Sequence, residues 1–216
     1  MSVPAVLLVP GWILVGLVIG IAVRWGSVKL ARLEGLQPSS SRWLVFGPPL
    51  LTAFLFGIFA WRIGADGVLL IRSLWVAVLV QVIFFDFEHR LILDRVLLPA
   101  MVVALVLSLV TPNLGWKASL AGALVAGVLF LLVAVVGAAV FRAEALGFGD
   151  VKLSVFIGLI LGLLAMFQAL FYGVILAGLF SILLIALRQK SMKDSIAYGP
   201  YLAAGTLIVL LNLAPR

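Results

Sequence analysis

The sequence predicts an all-α fold, a polytopic transmembrane helical bundle of about eight spans. Composition and hydropathy patterning carry that prediction. Of 216 residues, 65% are hydrophobic and only 11% are charged, whereas a soluble domain has about a quarter of its residues charged. Too little polar surface is left to solvate a globule. The apolar residues also fall into long runs divided by short polar connections, and a crossing needs roughly 20 such residues for about 30 Å of hydrocarbon. No stretch reads as a separate soluble domain, a repeat array or a low-complexity tail, so 1–216 is read as a single membrane domain.

The first run, about 4–23, has no charge before it, and Arg24, Lys29 and Arg32 follow it. A cleavable signal peptide has the opposite arrangement, so this is expected to be a retained span with its N-terminus outside. The connection 24–42 is short and basic. Its alternating Lys, Arg and Glu leave open a short interfacial helix beside an ordinary cytoplasmic loop. Spans at about 43–61 and 67–85 follow, with Asp66 read as a turn residue in Ala65-Asp66-Gly67. Two more are expected at about 96–112 and 118–140. The stretch 151–187 has 37 residues with almost no polar break, which as one straight helix would measure roughly 55 Å. It is therefore split into a hairpin, 151–166 and 169–187, turning near Gln168, and a last span covers about 197–213.

With the N-terminus outside, the odd connections and Lys152 just beyond one of them hold 11 of the 15 basic residues. Arg62, Arg72, Lys117 and Arg216 are left on or near the outer side, as the positive-inside rule requires. The net charge of +7 would point to nucleic acid in a soluble protein. Here it reports topology and contact with anionic membrane lipid instead, and no nucleic acid is expected. The chain has no cysteine, which excludes disulfides, thiolate zinc sites and a cysteine nucleophile. Its single histidine, His89, builds no multi-histidine centre, so no metal is expected; nothing in the chain sets an oligomeric state.

Chemistry is left to the eight acidic residues. Glu34 and Asp194 lie among basic residues in loops and read as solvated. The other five besides Asp66 fall in two cytoplasmic connections, Phe85-Asp86-Phe87-Glu88-His89-Arg90 through Asp94, and Glu144 through Gly147-Phe148-Gly149-Asp150-Val151-Lys152. Asp86 follows directly on one apolar run and Asp150 directly precedes another. Two complete crossings lie between them, which returns the chain to its starting side. Both carboxylates are thus expected at one membrane face, 64 positions apart (150 − 86). Two close carboxylates in a poorly solvated site share a proton. The ionised one activates water while the protonated one polarises a carbonyl. The same residues also admit a structural reading, with Asp150 as a helix N-cap and Asp86 paired with Arg90 four positions on. Glu88, Asp94 and Glu144 read as loop ion-pair partners or substrate contacts, and His89 as an exposed loop residue.

At these residues the chain resembles the type IV prepilin peptidases, membrane aspartyl peptidases of the Gly-x-Gly-Asp (GxGD) kind. Asp86 through Asp94 is similar to the family's first motif. Gly147-Phe148-Gly149-Asp150-Val151-Lys152-Leu153 is similar to its Gly-x-Gly-Asp-x-Lys-Leu, and Ala197-Tyr198-Gly199-Pro200-Tyr201-Leu202-Ala203 to the segment that opens its last helix. The resemblance covers roughly 68–210. It implies an endopeptidase of the inner (cell) membrane that removes the basic leader from type IV prepilins or pseudopilins on the cytoplasmic side. Asp86 and Asp150 would be catalytic, Gly147 and Gly149 would shape the loop, and Lys152 and Asp94 match the family's lysine and accessory aspartate. Glu88, Asp94 and Glu144 would meet the Lys/Arg-rich leader.

Leu93 stands where the family has proline, and the first connection lacks the cysteine pairs that many bacterial members carry. The resemblance is therefore to short, peptidase-only members, and it implies cleavage without a cofactor. S-adenosylmethionine enters only if N-methyltransferase activity is retained. The competing classes are a transporter or proton-binding protein using Asp86 and Asp150, and a noncatalytic scaffold.

Overall fold

In the computed structural model, residues 5–141, 147–187 and 197–213 are described. Among them the chain forms seven α-helices and no strand: α1 (Ala5–Leu33), α2 (Arg42–Ile63), α3 (Gly67–His89), α4 (Asp94–Leu107), α5 (Gly115–Phe141), α6 (Phe148–Ala186) and α7 (Gly199–Asn212). Five of them, α1, α2, α3, α5 and α6, are long and apolar enough to cross a membrane. The expected spans at 96–112 and 197–213 are represented by α4 and α7, of 14 residues each. Such helices measure about 21 Å, less than the hydrocarbon thickness.

The chain divides into two compact units, Met1–Leu91 with Leu210–Arg216, and Ile92–Val209. In the first, α1 runs ten residues beyond the expected 4–23 span, through the charged stretch to Leu33. Lys and Arg are good helix formers, the Lys29 ammonium lies 5.4 Å from the Trp25 ring centre one turn back, and Ser27 and Ala31 are buried. Hydropathy marks where a helix leaves the bilayer, which is not where the helix must end. The end itself is a glycine-dependent Schellman cap. Gly35 takes φ 71°, with Leu36 N–H donating to the Ala31 carbonyl at 2.8 Å and Gly35 N–H to Arg32 at 3.2 Å. Asp66, expected as a turn residue, is the N-cap of α3, its carboxylate accepting from Val68 N–H at 2.9 Å. Several polar side chains inside the spans are paired: Trp12 Nε1 donates to Ser73 Oγ at 2.9 Å, Ser27 Oγ to Gln81 Oε1 at 3.0 Å, and the buried Arg72 guanidinium to the Leu210 carbonyl at 3.2 Å.

In the second unit, α5 and the first part of α6 pack with backbones in contact. Gly122 faces Gly158, Ser119 Oγ donates to the Leu159 carbonyl at 2.7 Å and Ser154 Oγ to Ala126 at 3.2 Å. Small and hydroxylated residues allow this approach where hydrophobicity supplies no force between helices in lipid. The break expected near Gln168 lies six residues earlier. Gly162, at φ 74° and ψ 179°, interrupts α6, whereas Gln168 is exposed and helical. One polar side chain does not end a helix in lipid, because the freed backbone groups would lose their hydrogen bonds. Gly162 occupies a region that essentially only glycine enters. Beyond the break α6 packs on α7 through Gly173, Leu202 and Gly205.

Candidate active site

The helices reach further toward the acidic motifs than hydropathy suggests. α3 continues four residues past Phe85, so Asp86 lies in the last turn of a helix and is buried. Arg90 ends that helix in the left-handed region (φ 53°), its N–H donating to the Asp86 carbonyl at 2.8 Å. His89, expected as an exposed loop residue, is the last residue of α3. Its side chain is covered, and its ring centre lies 4.7 Å from that of Phe85. The imidazole thus packs on Phe85, with Nε2 3.6 Å from Glu88 Oε1.

Asp150 sits inside the first turn of α6 and is buried. The N-cap reading is corrected here, because the cap position belongs to Gly147 (φ −68°, ψ 145°), whose carbonyl accepts from Asp150 N–H at 3.0 Å. A carboxylate in the first turn lies at the positive end of the helix dipole. A Cβ on Gly147 would come within 3.5 Å of Asp150 Oδ2, and one on Gly149 within 3.1 Å of Ile92 Cβ. The first is an ordinary contact beside the carboxylate, whereas the second is tight, so Gly149 lets the turn before α4 close on α6.

The remaining acids have defined positions. Glu88 turns inward: its side chain is 3% exposed, with Oε2 2.7 Å from Arg24 Nη1. The Ser39 N–H donates to its other oxygen, and the Arg24 guanidinium in turn donates to the Ser39 carbonyl. The expected leader contact is thus a buried junction joining the end of α1, the 34–41 connection and the end of α3. Asp94, the first residue of α4, is half exposed and receives Lys152 Nζ on both oxygens, at 2.7 and 2.6 Å. The same ammonium lies 5.0 Å from the Phe148 ring centre. A pair this open to solvent contributes at most about 1 kcal/mol. Glu144 falls outside the described residues. Among those described, no group of three or more His, Cys, Asp and Glu is arranged to hold a metal ion.

The residues that bring Glu88 and Gly149 into place, Arg24, Ser39 and Ile92, were not singled out in the sequence. Arg24 and Glu88 follow two spans of the same direction, which hints at a shared end. Nothing in the sequence marks Ser39 or Ile92, because their contacts depend on how a loop and a turn fold back.

The amino-acid sequence has relatives among known proteins. A model of the type IV leader peptidase family matches residues 71–182, just over half of the chain and inclusive of both aspartate motifs. Three bacterial relatives are each called prepilin leader peptidase/N-methyltransferase. That of Bacillus subtilis (strain 168) is 29% identical over 162 residues, 75% of this chain and 63% of its own length. That of Pseudomonas putida is 28% identical over 161 residues, covering 73% and 55%. That of Aeromonas salmonicida (strain A449) is 29% identical over 162 residues, covering 75% and 56%. The chain thus spans between half and two thirds of these relatives' lengths. No solved structure matches it.

Proposed function

The chain belongs to the type IV leader peptidase family and is an integral membrane protein, and from that premise we propose that it is an aspartyl endopeptidase removing the basic leader of type IV prepilins or pseudopilins. The observation that carries the proposal is that the family match at 71–182 contains both aspartates, each placed at a helix end beside the glycines or aromatics of its motif. In the proposed reaction the ionised aspartate takes a proton from water as the water oxygen attacks the scissile carbonyl carbon. The protonated aspartate donates a hydrogen bond to the carbonyl oxygen as charge develops there. Collapse of the tetrahedral adduct breaks the C–N bond, and the amine leaves with a proton from the dyad. No cofactor takes part in these steps.

The topology we propose has eight crossings, with α4 and α7 as short spans and α6 divided at Gly162, the N-terminus outside and the site at the cytoplasmic face of the inner membrane. The distribution of Lys and Arg supports this orientation, as do the exposed Trp25 and Trp43 near the inner ends of α1 and α2, where aromatic residues sit at membrane interfaces. We assign cleavage alone to the chain, without the methyl transfer that the relatives' names also carry, because the first connection has no cysteine pairs.

The test is cleavage of a prepilin-like peptide by purified protein in lipid, comparing wild type with Asp86→Asn and Asp150→Asn. Leader removal that either substitution abolishes, with helicity and unfolding midpoint unchanged, is the expected result. Cleavage that survives both substitutions refutes the assignment. Labelled methyl groups offered as S-adenosylmethionine should not reach the new N-terminus.

A further inference from the structure

We propose that Asp94 and Lys152 form a positioning clamp that sets the first turn of α6, and with it the direction of the Asp150 carboxylate; the inference rests on the peptidase reading above. Lys152 is two residues from Asp150, early in α6. A cation there lies at the unfavourable end of the helix dipole, where an acidic residue would serve stability better. Asp94 offsets that charge by receiving Nζ on both carboxylate oxygens, at 2.7 and 2.6 Å. The half-exposed pair contributes little to stability, so its use lies in geometry.

Two neighbouring contacts turn it into a clamp. Ile92 closes over Gly149, where a Cβ would stand 3.1 Å from Ile92 Cβ, and the Phe148 ring lies 5.0 Å beneath the ammonium. Residues 92 and 94 thus hold residues 149 and 152, on either side of Asp150, and Phe148 supports the ammonium from within α6. Asp94 acts through Lys152 and the backbone of the turn, and Lys152 touches no reacting atom.

The experiment uses the full-length protein in lipid and a prepilin-like peptide, with Asp94→Asn, Lys152→Met, the double variant and Lys152→Arg. Small misplacement of a reacting group costs up to about 100-fold in rate, so each single neutralisation should lower kcat by roughly 10- to 100-fold with KM within about twofold. The double variant should be no worse than either single, Lys152→Arg should recover most of the activity, and unfolding midpoints should stay constant. A raised KM at unchanged kcat for Asp94→Asn, with Lys152→Met active, makes Asp94 a leader contact and overturns the clamp. Additive losses in the double variant also overturn it.

A second measurement needs no catalysis. The chain has no cysteine, so Asp150→Cys carries the only thiol, and its alkylation rate should change several-fold when Lys152→Met is added. An unchanged rate refutes the clamp even if the wild type cleaves nothing, whereas an inactive wild type with a changed rate refutes only the peptidase reading.

Discussion

Replacing Gly122 with alanine places a methyl group where α5 and α6 meet backbone to backbone. Its Cβ would stand 2.7 Å from the Gly158 carbonyl oxygen and 2.7 Å from the Gly162 carbonyl carbon. Ordinary contact is about 3.5 Å, so the helices must part by roughly 0.8 Å. The Ser119–Leu159 hydrogen bond, 2.7 Å long, would then stretch to about 3.5 Å, the edge of what counts as a bond. Overpacking of this kind costs about 1–3 kcal/mol, and the weakened bond between helices adds about 0.6 kcal/mol. Gly178→Ala is the control, because nothing lies within 4 Å of the Cβ it would add. Both substitutions gain the same helix propensity from alanine, so that gain cancels between them. Reversible unfolding in mixed micelles should show Gly122→Ala less stable than Gly178→Ala by about 2–3 kcal/mol. A difference below about 0.5 kcal/mol, the scatter of surface substitutions, would refute the close approach of these two helices.

Arg24→Met leaves the Glu88 carboxylate buried with the Ser39 N–H as its remaining hydrogen-bond donor among the described residues. Removing one member of a buried pair costs about 3–5 kcal/mol, and neutralising both is often nearly free. The same unfolding assay should therefore show Arg24→Met/Glu88→Gln recovering most of the loss, and a cost for Arg24→Met below about 1 kcal/mol would place the pair in solvent. Gly162→Ala should cost about 1–3 kcal/mol from backbone strain alone, plus a clash with Leu114 Cδ1, 2.8 Å from the added Cβ. Gln168→Ala should stay within about 0.5 kcal/mol, and the reverse order would move the break in α6 back to the polar residue.

The placement of the candidate site residues at helix ends was legible because its signals are local. Carboxylates are costly at a bilayer, so eight acidic residues in 216 could be surveyed one at a time. The runs flanking Asp86 and Asp150 put each at a helix boundary, and both are buried in helical turns. Helix ends were misjudged wherever polar residues stay helical, as from Arg24 to Leu33 and from Asp86 to His89. Hydropathy measures transfer into lipid, while a helix ends where its backbone is capped.

The carboxylates named in the sequence as leader contacts divide on the same principle. Glu88 and Asp94 look alike in a string of residues, yet one is buried against a guanidinium and the other, half exposed, meets an ammonium. By itself the sequence determined the membrane class, the scarcity of acids and the two motifs, since each depends on residue type and spacing along one chain. Only the tertiary structure decided that Glu88 joins α1 to α3, that Asp94 holds Lys152 two residues from Asp150, and that α6 breaks at Gly162. Those outcomes depend on the rotation and approach of neighbouring helices, which are set by side chains distant in sequence.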